Sequence, residues 1–296
     1  MRLLLISLFL TSNLWAHPKQ FPEDDRRYVP RVDKGMSKYR TKSMHGTKKL
    51  VLTYDDGPNP NTTPKILDVL KEFNAKATFF VLTKKVTPST EWIVKRMIDE
   101  GHILASHDHD HDNNNRESKK TFMDELEKTI RAIEGYYDKY AQNPKEMYYR
   151  FPYGAYGMNN AYHHMNAMKE VSQKLYGENC INFAFWDIDT ADWVPNVNAS
   201  DVALNIRSHM EGGKAYTHKK VTLSNGRKVW RKSAYTISKE KAPKGGVVLL
   251  HDIHSKNIES TRLILTEARE KGWEIVHLNE IKEFAFGAEK SCILKQ

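Results

Sequence analysis

Short apolar runs punctuate the chain, each followed by a polar cluster. They are Leu50–Thr53, Ala77–Val81, Ile103–Ala105, Met147–Tyr149, Phe183–Trp186, Val247–Leu250 and Trp273–Val276. Runs this brief, bounded by polar residues, predict buried strands rather than buried helices. Helical spacing lies between most of them. Ile66, Leu67, Leu70 and Phe73 hold one face, Phe122, Leu126, Ile130, Ile133 and Tyr137 hold a longer one, and Leu263, Ile264 and Ala268 suggest a third. Strand alternating with helix predicts an α/β protein with a parallel sheet, open or closed into a barrel. In such folds reactive groups gather at the C-terminal ends of the strands, which is where this chain's polar clusters fall.

Composition narrows the picture. The 296 residues are 40% hydrophobic and 28% charged, enough apolar material for a buried core and unlike a disordered chain. Two cysteines exclude a disulfide scaffold and a four-cysteine zinc module. Met1-Arg2, the apolar run Leu3–Leu10, a polar Thr11-Ser12-Asn13 and Ala16 have the layout of a secretory signal peptide over 1–16. The run is too short to span a bilayer, so export without stable membrane insertion is expected. Residues 17–48, with Pro18, Pro22 and Pro30, read as an extended N-terminal arm. The globular pattern covers 49–286, and 287–296 form a tail. Export would allow Cys180 and Cys292 to pair, but their spacing leaves that open.

The formal charge is +9. Residues 212–244 hold ten Lys or Arg and one acid, Glu240, so this stretch alone carries +9 and the rest nearly balances. Within it, Ser224-Asn225-Gly226 between Val221-Thr222-Leu223 and Lys228-Val229-Trp230 predicts a β-hairpin with a tight turn. This basic insert is either a solvated surface excursion or a cationic flap, with Tyr216, Trp230 and Tyr235 interleaved, that meets an acidic polymer. Nucleic acid as partner is disfavoured by export and by the lack of a nucleic-acid motif.

Five polar clusters carry candidate chemistry. Tyr54-Asp55-Asp56-Gly57-Pro58 puts two carboxylates side by side, which repel unless a cation lies between them. The same residues also read as an acidic turn closed by Gly-Pro. In Ser106-His107-Asp108-His109-Asp110-His111, a helix would bring His107 and His111 to one face, whereas an extended chain would align His107, His109 and His111. Either way a divalent cation is the inference. Two His with one Asp would leave a coordination position open, as catalysis needs. The remaining clusters are Arg150-Phe151-Pro152-Tyr153-Gly154, Asp187-Ile188-Asp189-Thr190-Ala191-Asp192-Trp193 and His251-Asp252.

In this order the five clusters resemble the polysaccharide deacetylases, the NodB-homology group or carbohydrate esterase family four, over roughly Lys49–Phe286. The resemblance implies a distorted (β/α) barrel with fewer than eight strands, in keeping with the seven runs. It implies that Asp56, His107 and His111 hold one divalent metal, zinc foremost, with Co2+, Ni2+ or Mn2+ as alternatives. Asp55 would be the general base and Arg150 would pair with it. The Tyr153 N–H would serve the oxyanion, Asp189 would orient the general acid His251, and Pro152, Trp193 and Leu249 would line the acetyl pocket. Two departures stand out. Asp108 replaces the usual Ser or Thr, and His109 is an extra imidazole; Asp108 and Asp110 add negative charge near the metal. The implied substrate is peptidoglycan or a related N-acetylglucosamine polymer, with chitin or its oligomers as the alternative. A non-catalytic wall-binding module is a third reading.

Overall fold

The computed structural model describes residues 41–142, 147–157, 164–285 and 292–295. The expected signal peptide, the arm up to residue 40 and most of the tail lie outside the described residues. Among the described residues no helix is long and apolar enough to cross a membrane.

The sheet is built from β1 (Lys49–Asp55), β2 (Thr78–Val81), β3 (Ile103–Ser106), β4 (Met147–Tyr149), β5 (Ile181–Phe183), β6 (Ile188–Asp189), β9 (Gly246–His251) and β10 (Glu274–Ile275). Their order is β5-β4-β3-β2-β1-β9-β6, with β10 beside the first residues of β1, and every pairing is parallel. Six of the expected strands fall where the apolar runs lie. The fifth differs. The Phe183–Trp186 run is the end of β5 and a link into β6, a two-residue strand too short to leave a hydrophobic signature.

That link explains the shape. β5 and β6 are opposite edges of the seven-strand order, yet only 184–187 separate them. Five extended residue steps reach at most roughly 18 Å. Seven flat strands spaced about 4.8 Å apart would put the edges about 29 Å apart. The sheet therefore curls into the expected distorted barrel.

Strand alternation divides the core. Leu50, Leu52, Tyr54, Phe79, Val81, Leu104, Val248 and Leu250 face the helices. Val51, Phe80, Ala105, Tyr148, Ala184 and Val247 face the barrel interior. Met44, Leu278, Ile281 and Phe284 close the interior at the N-terminal ends of the strands, so the C-terminal ends hold the opening. The helices are α1 (Thr63–Glu72), α2 (Glu91–Asp99), α3 (Lys119–Lys139), α4 (His164–Tyr176), α5 (Ala199–Glu211) and α6 (Lys256–Lys271). The three periodic segments of the sequence are α1, α3 and α6. Ser118 caps α3 by accepting from the Thr121 N–H, and Asn198 and Asp201 form a reciprocal cap on α5.

The insert is an antiparallel hairpin, β7 (Gly213–Thr222) and β8 (Lys228–Ile237). Its ladder runs well beyond the two short runs flanking the turn in the sequence. The buried Asn205 side chain on α5 donates to the carbonyls of Thr190 and Tyr216 and accepts from the Tyr216 N–H. One amide thereby ties the hairpin to the loop after β6. Cys180 and Cys292 form a disulfide, with Cα atoms 5.7 Å apart, which settles the pairing that their spacing left open.

Candidate active site

Several site residues are the next members of the inward-facing alternation. Val51, Thr53 and Asp55 share one face of β1, Ala105 leads to His107, Tyr148 to Arg150, and Val247 to Leu249 and His251. Period two thus aims four polar side chains into the mouth of the barrel. Asp55, His107 and His251 line a cleft of about 660 Å³, and Arg150 is fully buried beside Asp55. Asp56 breaks the alternation with a φ of 74°, which turns its carboxylate back toward the same opening.

Arg150 organises the centre. Fully buried, it donates to Asp55 Oδ1 at 2.8 Å and Thr53 Oγ1 at 2.7 Å. It also donates to the carbonyls of Ala184 and Phe185 in the β5–β6 link, and it stacks over the Phe80 ring. A buried carboxylate and a buried guanidinium satisfy each other, and removing either would strand the other. Burial pushes the Asp55 pKa up, while the charges of Arg150 and His251 pull against it.

The histidine segment is neither helix nor strand. Positive φ values at Asp108 (77°) and His111 (71°) fold it into an irregular loop. His107 and His111 point their Nε2 atoms at Asp56 Oδ1, at 3.5 and 3.3 Å. His109 turns away and meets Thr83 Oγ1. The His107 Nδ1–H donates to the Arg150 carbonyl, which leaves the Nε2 lone pair facing the site. Burial holds His107 down at about 3 and also lowers His111, so both rings are neutral.

These three residues fit a cation. Among the described residues the buried Asp56 Oδ1 has no hydrogen-bond partner, and the three ligand atoms lie within 4.8 Å of one another. Tetrahedral bonds of about 2.1 Å would space such ligands about 3.4 Å apart, close to the two distances found.

The acid side of the cleft corrects one expectation. His251 Nδ1–H donates to Asp192 Oδ1 at 2.8 Å, and the His251 N–H donates to Asp192 Oδ2 at 2.7 Å. Asp189, expected in that place, lines the cleft and accepts from the Ala191 N–H instead. Alternation puts Asp189 inward at the end of β6, but the left-handed turn at Ala191 (φ 56°) brings Asp192 back under the imidazole. Asn257 of α6 also donates to Asp192. Burial alone would lower the His251 pKa; the Asp192 carboxylate outweighs it, with help from Asp56 and Asp55, and the ring is pushed up to about 10.

Tyr153 sits at the rim with φ 58°, and its N–H is in none of the hydrogen bonds closing the Pro152–Gly154 turn. Trp193 and Leu249 line the cleft, whereas Pro152 is buried and not among the lining residues. Sequence reasoning missed His218, which faces the cleft from β7 with Trp230 of β8. Its ring lies 4.6 Å from Trp193 and 4.8 Å from Trp230. The signal available was the two-residue periodicity of the predicted hairpin, which places alternate residues on one face.

Residues 42–171 match the family model described as polysaccharide deacetylase. By this match and the relatives that follow, the chain resembles the polysaccharide deacetylases. Over 257 residues, 87% of this chain and 43% of the relative, it is 30% identical to the peptidoglycan-N-acetylglucosamine deacetylase PgdA of Listeria monocytogenes. A shorter stretch of 90 residues, 30% of this chain and 41% of the relative, is 40% identical to a chitooligosaccharide deacetylase of Bradyrhizobium. The chain thus spans less than half the length of these curated relatives. The solved structure of the peptidoglycan deacetylase PdaC from Bacillus subtilis shares the fold, with a TM-score of 0.54 at 24% identity over 84% of this chain and 95% of that one.

Proposed function

We propose that this chain is a divalent-metal-dependent N-deacetylase that removes acetyl groups from N-acetylglucosamine in peptidoglycan, releasing acetate. One observation carries the reading: Asp56, His107 and His111 converge beside an Arg150-paired Asp55, across one cleft from an Asp192-paired His251. The name of the Listeria relative supports the substrate. The name of the Bradyrhizobium relative keeps chitin oligomers as the alternative.

Asp56, His107 and His111 would hold the cation, zinc in the first place. Bound there, it would supply Lewis-acid polarisation of the acetyl carbonyl and make a nearby water easier to deprotonate. Asp55 accepts a proton from the attacking water, and Arg150 keeps that carboxylate in one orientation. The Tyr153 N–H donates to the oxyanion that forms when water adds to the carbonyl carbon. His251, protonated through Asp192, gives its proton to the departing nitrogen as the C–N bond breaks. Acetate and a free sugar amine result. Trp193 and Leu249 wall the space for the acetyl methyl. The N-terminal residues 1–16 act as an export signal that delivers the 49–286 domain to the wall, and the basic 212–244 hairpin meets carboxylates of the peptide stems.

Purified protein incubated with peptidoglycan, and separately with chitin oligomers, should release acetate, faster from peptidoglycan, and a chelator should abolish it. Asp55→Asn should keep its metal and lose turnover. Acetate release unaffected by a chelator, or retained by Asp55→Asn, would overturn the mechanism, and faster release from chitin would reassign the substrate.

A further inference from the structure

A second group of ligand atoms involves the histidine loop, and none of its residues lines the cleft. Carboxylate oxygens of Asp108, Asp110 and Glu125 all lie within 4.8 Å of one another. Asp108 and Asp110 belong to the loop that carries His107 and His111, and Glu125 belongs to α3. Acidic side chains cluster on many surfaces without binding anything, but this group is not a solvated surface. Asp108 is 0% exposed, and neither of its carboxylate oxygens receives a hydrogen bond of good geometry among the described residues. Its nearest donor is the adjacent His109 N–H.

A non-acidic side chain close in sequence is also short of partners. The Asn114 side chain is also 0% exposed, and its Oδ1 has no partner among the described residues, although its Nδ2 donates to Glu117. It borders the buried Tyr149 hydroxyl, which lies in the field of Asp108, Glu117 and Glu125. Asp112 and Glu117 add to the negative potential around Glu125, which Lys128 partly offsets. Lys84 reaches the Asp110 carbonyl rather than its carboxylate. A buried carboxylate with no well-formed hydrogen bond, facing further carboxylates, is a costly arrangement that a cation would relieve.

We infer that Asp108, Asp110 and Glu125 form a second cation site, separate from the Asp56 cluster, that takes a hard divalent ion such as Ca2+ and ties the histidine loop to α3. The donors are oxygens alone, which suits Ca2+ rather than a nitrogen-seeking metal. Oxygens about 2.3–2.6 Å from one ion can be up to roughly 5 Å apart, so the observed spread is compatible with a shared ion. The inference does not depend on the deacetylase reading.

The test uses the full chain saturated with Zn2+ and then titrated with Ca2+ by calorimetry, with melting followed in parallel. The expected result is one Ca2+ per chain beyond the zinc, and a melting temperature that rises by several degrees with Ca2+ concentration. Glu125→Gln, a half-buried and conservative change, should weaken Ca2+ binding at least tenfold and abolish the melting shift. Asp110→Asn should do the same, so the outcome does not rest on one variant's folding, which circular dichroism checks. Asp56→Asn should keep the Ca2+ site. No Ca2+ uptake by the folded parent, or uptake unchanged in folded Glu125→Gln and Asp110→Asn, would overturn the inference. So would loss of uptake in Asp56→Asn, since the ion would then belong to the first cluster.

Discussion

Single residues at this site act through what burial forces on them. Asp192 is the clearest case: fully buried, it has His251 and Asn257 as partners and holds the imidazole in one orientation. A histidine raised to about 10 keeps its proton through neutrality and loses it only as pH climbs through that value. If the protonated ring is the acid, Asp192→Asn should pull the alkaline limb of the rate profile down toward the ordinary histidine value of about 6.5. It should also cost about 10²–10⁴ in kcat. Asp189→Asn should leave that limb in place. A profile moved by Asp189→Asn and not by Asp192→Asn would reverse the assignment. Gly57 offers a second residue-scale test. A Cβ there would lie 2.0 Å from Asp252 Oδ2, and Asp252 is itself held by Thr62 and Thr63. Gly57→Ala should therefore cost about 1–3 kcal/mol, read as a lower denaturation midpoint.

Elements differ in how much of them the sequence displays. β1, β9 and α3 are long enough to show their period, and their inward and outward faces follow from it. The 107–111 loop is not legible in that way. Helical and extended readings each gave a metal-binding face, and the loop takes neither form, because left-handed residues at Asp108 and His111 set its path. His107 and His111 still converge, and His109 does not. The hairpin was visible from its turn residues, and its charge from simple counting. Its position over the cleft was not, since that depends on Asn205 and on the Lys232–Asp201 ion pair with α5. Trp230 remains 41% exposed beside His218 and Trp193, a shape suited to the face of a sugar ring. Trp230→Ala should raise KM about five- to tenfold with a smaller change in kcat, consistent with about 1 kcal/mol of lost aromatic contact. An unchanged KM for polymeric substrate would remove the hairpin from substrate binding.

Across the whole molecule, the curled sheet and the disulfide are long-range closures. Arg150, from the end of β4, reaches β1 and the β5–β6 link together, so it spans the barrel interior where the sheet edges approach. The Cys180–Cys292 bond joins the start of β5 to the tail across 112 residues, and the Lys295 N–H donates to the Leu175 carbonyl beside it. Cross-linking so long a segment restricts the unfolded chain. Cys292→Ser should lower stability by about 2–4 kcal/mol, measured by denaturant unfolding under oxidising conditions. Equal stability of the variant and the parent would show that the tail contributes nothing to the fold.

By itself the amino-acid sequence determined the α/β alternation, most strands, the inward parity of Asp55, His107, Arg150 and His251, and the basic hairpin. These are local properties, written in periods of two and 3.6 and in turn residues. Tertiary structure alone decided which aspartate meets His251, which histidines face Asp56, that the hairpin walls the cleft, and that the two cysteines meet. Each of these depends on left-handed turns and on contacts between residues far apart in the chain, and no local period encodes where such segments come to rest.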